Sequence, residues 1–200
     1  GDYDAFVAKF DSSGALIWNA FLGSQLGRDI GNGITLDGNG NVYVTGIAGA
    51  TWGTAVTGHS GFYYDAFVVK LNSSGAVIWN TFIGGSGNDY GNDIAVDANG
   101  NTYIAGDSYT VAGTDDNGFA SKINSSGVFQ WTTVLGGGWV DGAIDIVVDG
   151  NQNIYVLGNS ITAWGNNPLR SFSNGNDAFV AKLNSLDGAL NWHTFLGGDG

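Results

Sequence analysis

Apolar residues in this chain fall into short runs, each closed by a cluster of Gly, Asn, Asp or Ser. Runs bounded by such turn-tolerant residues read as β-strands. The runs also recur in a fixed order. DAFVAKFDSSGALIWNAFLG from Asp4 returns as DAFVVKLNSSGAVIWNTFIG from Asp65, NGFASKINSSGVFQWTTVLG from Asn117 and DAFVAKLNSLDGALNWHTFLG from Asp177. Between them stand GITLDGNGNVYVTG from Gly33, DIAVDANGNTYIAG from Asp93 and DIVVDGNQNIYVLG from Asp145. The first motif starts 61, 52 and 60 residues apart, a period that predicts a repeat architecture.

Each repeat predicts four strands, here a (Gly33 to Asp37 in the first copy), b (Asn41 to Gly46), c (Asp4 to Phe10) and d (Ala15 to Leu22). Asp-x-Asn-x-Asn joins a to b, and Asp/Asn-Ser-Ser-Gly joins c to d; both supply the positive-φ residues of tight hairpins. Strand d is apolar on both faces, with Leu16, Trp18 and Leu22 alternating with Ile17 and Phe21. A sheet buried on both sides is expected where four-stranded blades pack face to face around an axis. The prediction is an all-β propeller of about three and a half blades: a half blade over 1–29, then blades over 30–88, 89–140 and 141–200. The recurring Trp18, Trp79, Trp131 and Trp192 read as packing between blades. Lys9, Lys70, Lys122 and Lys182 read as solvated edge charges, or as partners of a neighbouring Asp.

Composition agrees with this picture. The 200 residues include 35 Gly and one Pro, and all 18 acidic residues are Asp, which favours turns over helices. A net charge of −12 with six basic residues excludes neutralisation of nucleic-acid phosphates and attraction to an anionic membrane surface. Cysteine is absent, so no disulfide or thiolate metal site can form. No apolar run reaches membrane-spanning length, and no insertion into a membrane is expected. Methionine is absent too, so the chain reads as a processed product or part of a longer polypeptide.

The pattern DAFVAKLNSSGALxWxTFLGGSGNDYGNxIAVDxxGNxYVTG resembles the SBBP family of β-propeller repeats, and more distantly NHL-type propellers. The resemblance covers essentially the whole chain, with the third repeat departing most: Asn117 replaces the leading Asp, and the preceding b–c loop is shorter. It implies an extracellular or cell-surface setting within large modular proteins, and no settled activity. Strands a and b of the first blade have no source in these residues. Further blades of the same polypeptide, or a protein partner, are therefore expected to complete the open edge.

In a propeller the b–c and d–a connections share one rim, and here they are the variable ones, where specificity usually sits. They carry Trp52, Tyr90, Asp115, Asp116, Trp139 and Trp164. Exposed aromatics beside carboxylates suit a protein interface or the stacking of sugar rings; Trp52 and Trp164 share a repeat position and could instead pin their own loops. Asp29, Asp89 and Asp141 recur eight residues before Asp37, Asp97 and Asp149. With backbone carbonyls they could hold a structural Ca²⁺, or they could cap turn amides; no cofactor is required. Catalytic signatures are lacking: His59 and His193 hold unrelated repeat positions, and no nucleophile or phosphate-loop motif appears. Asp93 and Asp145 open strand a and could form an acid pair at the axis. The functional expectation is a noncatalytic extracellular module for structural assembly, adhesion or protein binding. A lectin-like glycan-binding propeller is the alternative, and a hydrolase or lyase comes last.

Overall fold

A computed structural model describes residues 3–109, 116–138 and 140–198. The described residues contain fourteen strands and no helix: β1 (Ala5–Phe10), β2 (Leu16–Leu22), β3 (Ile30–Leu36), β4 (Val42–Ala48), β5 (Asp65–Leu71), β6 (Val77–Ile83), β7 (Asn88–Val96), β8 (Thr102–Tyr109), β9 (Asp116–Ile123), β10 (Phe129–Leu135), β11 (Gly142–Val148), β12 (Ile154–Ser160), β13 (Asp177–Leu183) and β14 (Leu190–Leu196). They form three antiparallel four-stranded sheets in simple meander order, β3 to β6, β7 to β10 and β11 to β14, plus the hairpin β1–β2. This is the β-propeller arrangement of three blades and a half expected from the repeats. Consecutive blades stack through their inner strands, β7 against β3, β4 and β5, and β11 against β7, β8 and β9.

The a strands begin earlier than the sequence motif suggests. Pairing in β3 continues back to Ile30 across a register shift between Gly31 and Gly33, and the same shift recurs at Gly91/Asp93 and Ala143/Asp145. A bulge re-aims the extra residue's side chain. Here it aims Asn32 and Asn92 at the next blade: Asn32 Nδ2 donates to the Gly91 carbonyl (2.9 Å) and Asn92 Nδ2 to the Ala143 carbonyl (3.0 Å), while Asn92 Nδ2 also donates to the Asp107 carboxylate of its own blade (2.8 Å). In the last blade Ile144 takes this position and is exposed.

Outer strands interlock differently. The Trp18 ring lies under Gly75 of the next c–d hairpin while its Nε1 donates to the Ser73 carbonyl at 3.1 Å; Trp79 repeats both contacts with Gly127 and Ser125. The recurring lysines are not free edge charges: Lys70, Lys122 and Lys182 lie over the rings of Tyr43, Tyr103 and Tyr155, their cross-strand partners. Each a–b hairpin is closed by its Asp; Asp37 Oδ1 accepts the amides of Asn39 and Asn41, and Asp97 and Asp149 do the same one and two blades on. These repeated contacts make the blades a stiff stack with one monotonous rim and one variable rim.

Candidate functional site

On the variable rim, the two long b–c loops fold back onto their own blades. Trp52 packs edge-on to Phe67 and Phe82 with centroids 5.5 and 5.7 Å away, and Trp164 meets Phe179 and Phe195 at 5.0 and 5.7 Å. Both indoles are buried. This corrects the reading of Trp52 and Trp164 as ligand contacts: the apolar gain of covering a cross-strand Phe pair draws them inward. A residue of strand d then fastens each loop. Asn80 Nδ2 donates to the Trp52 carbonyl at 2.6 Å, and His193 Nε2 to the Trp164 carbonyl at 2.8 Å, with the imidazole stacked on the indole. The sequence hid this shared role because the two residues differ in type. The second fastening is the leading Asp of strand c, where Asp65 accepts from the Ser60 amide and hydroxyl and Asp177 from those of Ser173.

Asp29 and Asp141 directly precede β3 and β11, and Asp89 is the second residue of β7; all three are buried. One oxygen of each accepts a turn amide: Ser24 to Asp29 (2.9 Å), Gly85 to Asp89 (2.9 Å) and Gly137 to Asp141 (2.8 Å). The Ser160 hydroxyl adds a 2.5 Å bond to Asp141. At Ser160's equivalent in the first complete blade stands Ala48, and Asp29 Oδ1 is buried with no partner among the described residues. Burial raises the pKa of Asp29 and Asp89. The three aspartates serve separate turns, and among the described residues no three His or Asp side chains converge at metal-holding distance.

Tyr90 and Asp116 are each neighbours of Tyr109, Asp116 as its strand partner. Tyr90 stacks edge-on with Tyr109 at 5.2 Å. Tyr109, Asp107 and Asp116 then line a concavity of about 250 Å³ whose other wall carries Val140, Ile144 and Ile161. Val140 and Ile144 are 59% and 47% exposed, so the hollow joins an aliphatic wall to an acidic one. Burial pushes the Asp107 carboxyl up, opposed by the Asn92 amide. Tyr109, Val140 and Ile161 lacked any repeat signal and went unnoticed in the sequence. Asp115 and Trp139 lie outside the described residues.

At the axis, Asp93 and Asp145 meet. Asp93 Oδ2 accepts the Ile146 amide at 3.0 Å, and burial followed by a hydrogen bond with Asp145 raises the Asp93 pKa, as expected where two carboxyls share a proton. Gly33 occupies their position in the first complete blade, packed against the Asp93 backbone.

A family model described as a β-propeller repeat, SBBP, matches residues 17–54 and 78–110. Two stretches of the chain are similar to the SBBP β-propeller repeat. The matched stretches run from strand d of one blade through the a–b hairpin of the next, so SBBP matching spans the blade junctions described above. An uncharacterized WD repeat-containing protein of Acanthamoeba polyphaga mimivirus is 25% identical over 237 aligned residues, covering 93% of this chain and 17% of its own length. The crystal structure of a protein of unknown function from Bacteroides caccae superposes with a TM-score of 0.52 at 14% identity, over 92% of this chain and 52% of its own. The chain thus spans about a sixth of the first relative and half of the second; the structural likeness shows the fold alone.

Proposed function

We propose that this chain is a noncatalytic protein-binding module, and that the hollow between Tyr109 and Val140 is its contact surface. The observation that carries this reading is the exposed Val140–Ile144 wall facing Asp107 and Asp116 on the variable rim. Apolar side chains ringed by charge on a rigid frame suit a partner with an aliphatic anchor and a basic flank. The WD-repeat relative supports a role in interaction. We extend the reading to an exported cell-surface or adhesive setting, supported by the setting the SBBP resemblance implies, with further blades or a partner completing the edge of β1. Glycan stacking is the weaker reading, because two of the aromatics it needed are buried. Asp93 and Asp145 are assigned a structural role, since the amide of Ile146 already occupies Asp93.

The test is affinity capture from the source cells and their medium, with wild type beside a Val140→Asp/Ile144→Asp variant. A partner enriched at least roughly tenfold on wild type, about 1.4 kcal/mol, is the expected result. Equal recovery on both would remove the hollow as the contact surface.

A further inference from the structure

The two long b–c loops do more than bury their tryptophans: each lays an extended segment along the outer edge of its own strand d. In the first complete blade the Val56 amide donates to the Asn80 carbonyl at 2.8 Å and the Phe82 amide to the Thr57 carbonyl at 3.0 Å, with Ala55 and Asn80 paired in parallel. In the last blade Leu169 and Arg170 repeat this on His193 and Phe195, at 2.9 and 3.2 Å. Each segment acts as a short fifth strand. The edge residues beneath, Asn80, Phe82, His193 and Phe195, are buried.

Strand β10 has the same edge without the cover. Thr132 and Val134 are the equivalents of Asn80 and Phe82, since they face Ser121 and Phe119 as those face Val69 and Phe67. The Thr132 carbonyl and the Val134 amide therefore point outward, and among the described residues they have no backbone partner on that side. Thr132 is exposed, and Val134 is 62% exposed. Sixteen residues join b to c in the covered blades, but only six stand between Tyr109 and Asp116. That span reaches at most about 25 Å. With roughly 4.8 Å between strands and 3.3 Å per residue along them, the path from β8 to the flank of Val134 and back to β9 measures about 30 Å. The connection is too short to cover this edge. Nor is the edge blunted by other means, because Ser125 to Leu135 contain no Pro and no charged residue. An uncharged edge with free N–H and C=O groups is a template for a further strand.

We propose that the outer edge of β10 is a strand-addition site for an extended peptide segment of a partner protein, running parallel to β10. An aliphatic residue of the segment donates its amide to the Thr132 carbonyl, and the carbonyl of the following residue accepts the Val134 amide. The two segments that the chain supplies itself set this chemistry: Val56 and Leu169 are aliphatic donors, and Thr57 and Arg170 supply the carbonyls. Val56 lies beside Gly127 of the next c–d hairpin, and Gly188 holds that place beside β10. The site shares no residue with the rim hollow, so the Val140→Asp/Ile144→Asp variant keeps this binding and either reading can fail without the other.

The experiment is amide hydrogen exchange of the ¹⁵N-labelled full chain, alone and titrated with the blocked peptide TWGTAVTGHS, the stretch Thr51 to Ser60 that covers β6. In the free chain the Val134 amide is expected to exchange at least about tenfold faster than those of Phe82 and Phe195. The peptide should slow it saturably, and an analogue methylated on the valine nitrogen should bind at least about tenfold more weakly. That methyl removes the donor to Thr132 and leaves every side chain intact. Val134→Pro removes the outward amide, spares the bonds to β9, and should weaken the peptide by about the same factor. If this variant fails to fold, the methylated peptide on the unaltered chain decides. A Val134 amide already protected in the free chain overturns the proposal. So does protection that rises with chain concentration alone, which would give the edge to a second copy. No saturable effect of the peptide, or undiminished binding of the methylated analogue or of the folded Val134→Pro chain, overturns it equally.

Discussion

The glycines that close the c–d hairpins share a left-handed backbone but not their surroundings. Gly14, at φ 83°, has open space where a Cβ would stand. At Gly127, φ 85°, a Cβ would meet the Trp79 ring at 2.9 Å. Gly14→Ala should therefore cost only the left-handed backbone term, about 1 kcal/mol. Gly127→Ala adds displacement of a buried indole and should cost about 3 kcal/mol. Urea denaturation of the pair measures the difference; equal costs would mean that the Trp79 contact contributes nothing beyond local backbone strain. His193 offers a second comparison. Removing it as His193→Ala leaves the buried Trp164 carbonyl unanswered and should cost about 2 kcal/mol. His193→Asn should recover most of that in the same assay, because Asn80 performs the same bond in an earlier blade.

Among the elements, the last c–d hairpin stands apart. It reads Asn184-Ser185-Leu186-Asp187-Gly188, one residue longer than Asn72-Ser73-Ser74-Gly75. Trp18 and Trp79 each donate to the serine carbonyl of the next hairpin, whereas Lys122 Nζ takes the Ser185 carbonyl at 2.7 Å. Trp131 Nε1 is left buried without a partner among the described residues. Deleting Leu186, which is exposed, restores the shorter turn and should stabilise the protein by about 1 kcal/mol, read as a higher denaturation midpoint. A fall in stability would show that the Lys122 contact outweighs the indole bond. The four strands of each repeat were legible because turn residues punctuate them. The early start of strand a was not, since nothing marks Asn32 or Asn92 as bulged until their amides are seen crossing to the next blade. Recurrence alone was ambiguous for Trp52 and Asp29: a repeat position shows that a residue does the same thing each time, not whether it faces a ligand or its own loop. Burial placed Trp52 against its own blade, and that burial depends on Phe67 and Phe82, which are distant in sequence.

For the whole molecule, charge and burial act together. Burial raises the pKa of Asp29, Asp65, Asp89, Asp93 and Asp107 above the ordinary 3.8. Such groups bind protons more tightly in the folded state, so their contribution is full below the unfolded pKa and is lost as pH rises through the folded one. Asp11 and Asp149 act in the opposite sense. Hydrogen bonds from Ser13 and Asn153 lower their pKa, so their contribution is lost as pH falls through the folded values. The net charge of −12 adds repulsion toward neutral pH. Thermal stability should therefore peak at mildly acidic pH, about 5, and decline toward pH 8. High salt should remove only the surface-repulsion part of that decline, because buried carboxyls are poorly screened. The axial pair isolates the remainder. Asn at position 93 can accept the Ile146 amide through Oδ1 and donate to an ionised Asp145 through Nδ2, so no shared proton is needed. Asp93→Asn should raise the melting temperature at pH 8 by about 2–4 °C, equivalent to about 1 kcal/mol, and change it little at about pH 4. Unchanged melting at both pH values would place the pH dependence in the other buried aspartates, Asp29, Asp65, Asp89 and Asp107, instead of the axis.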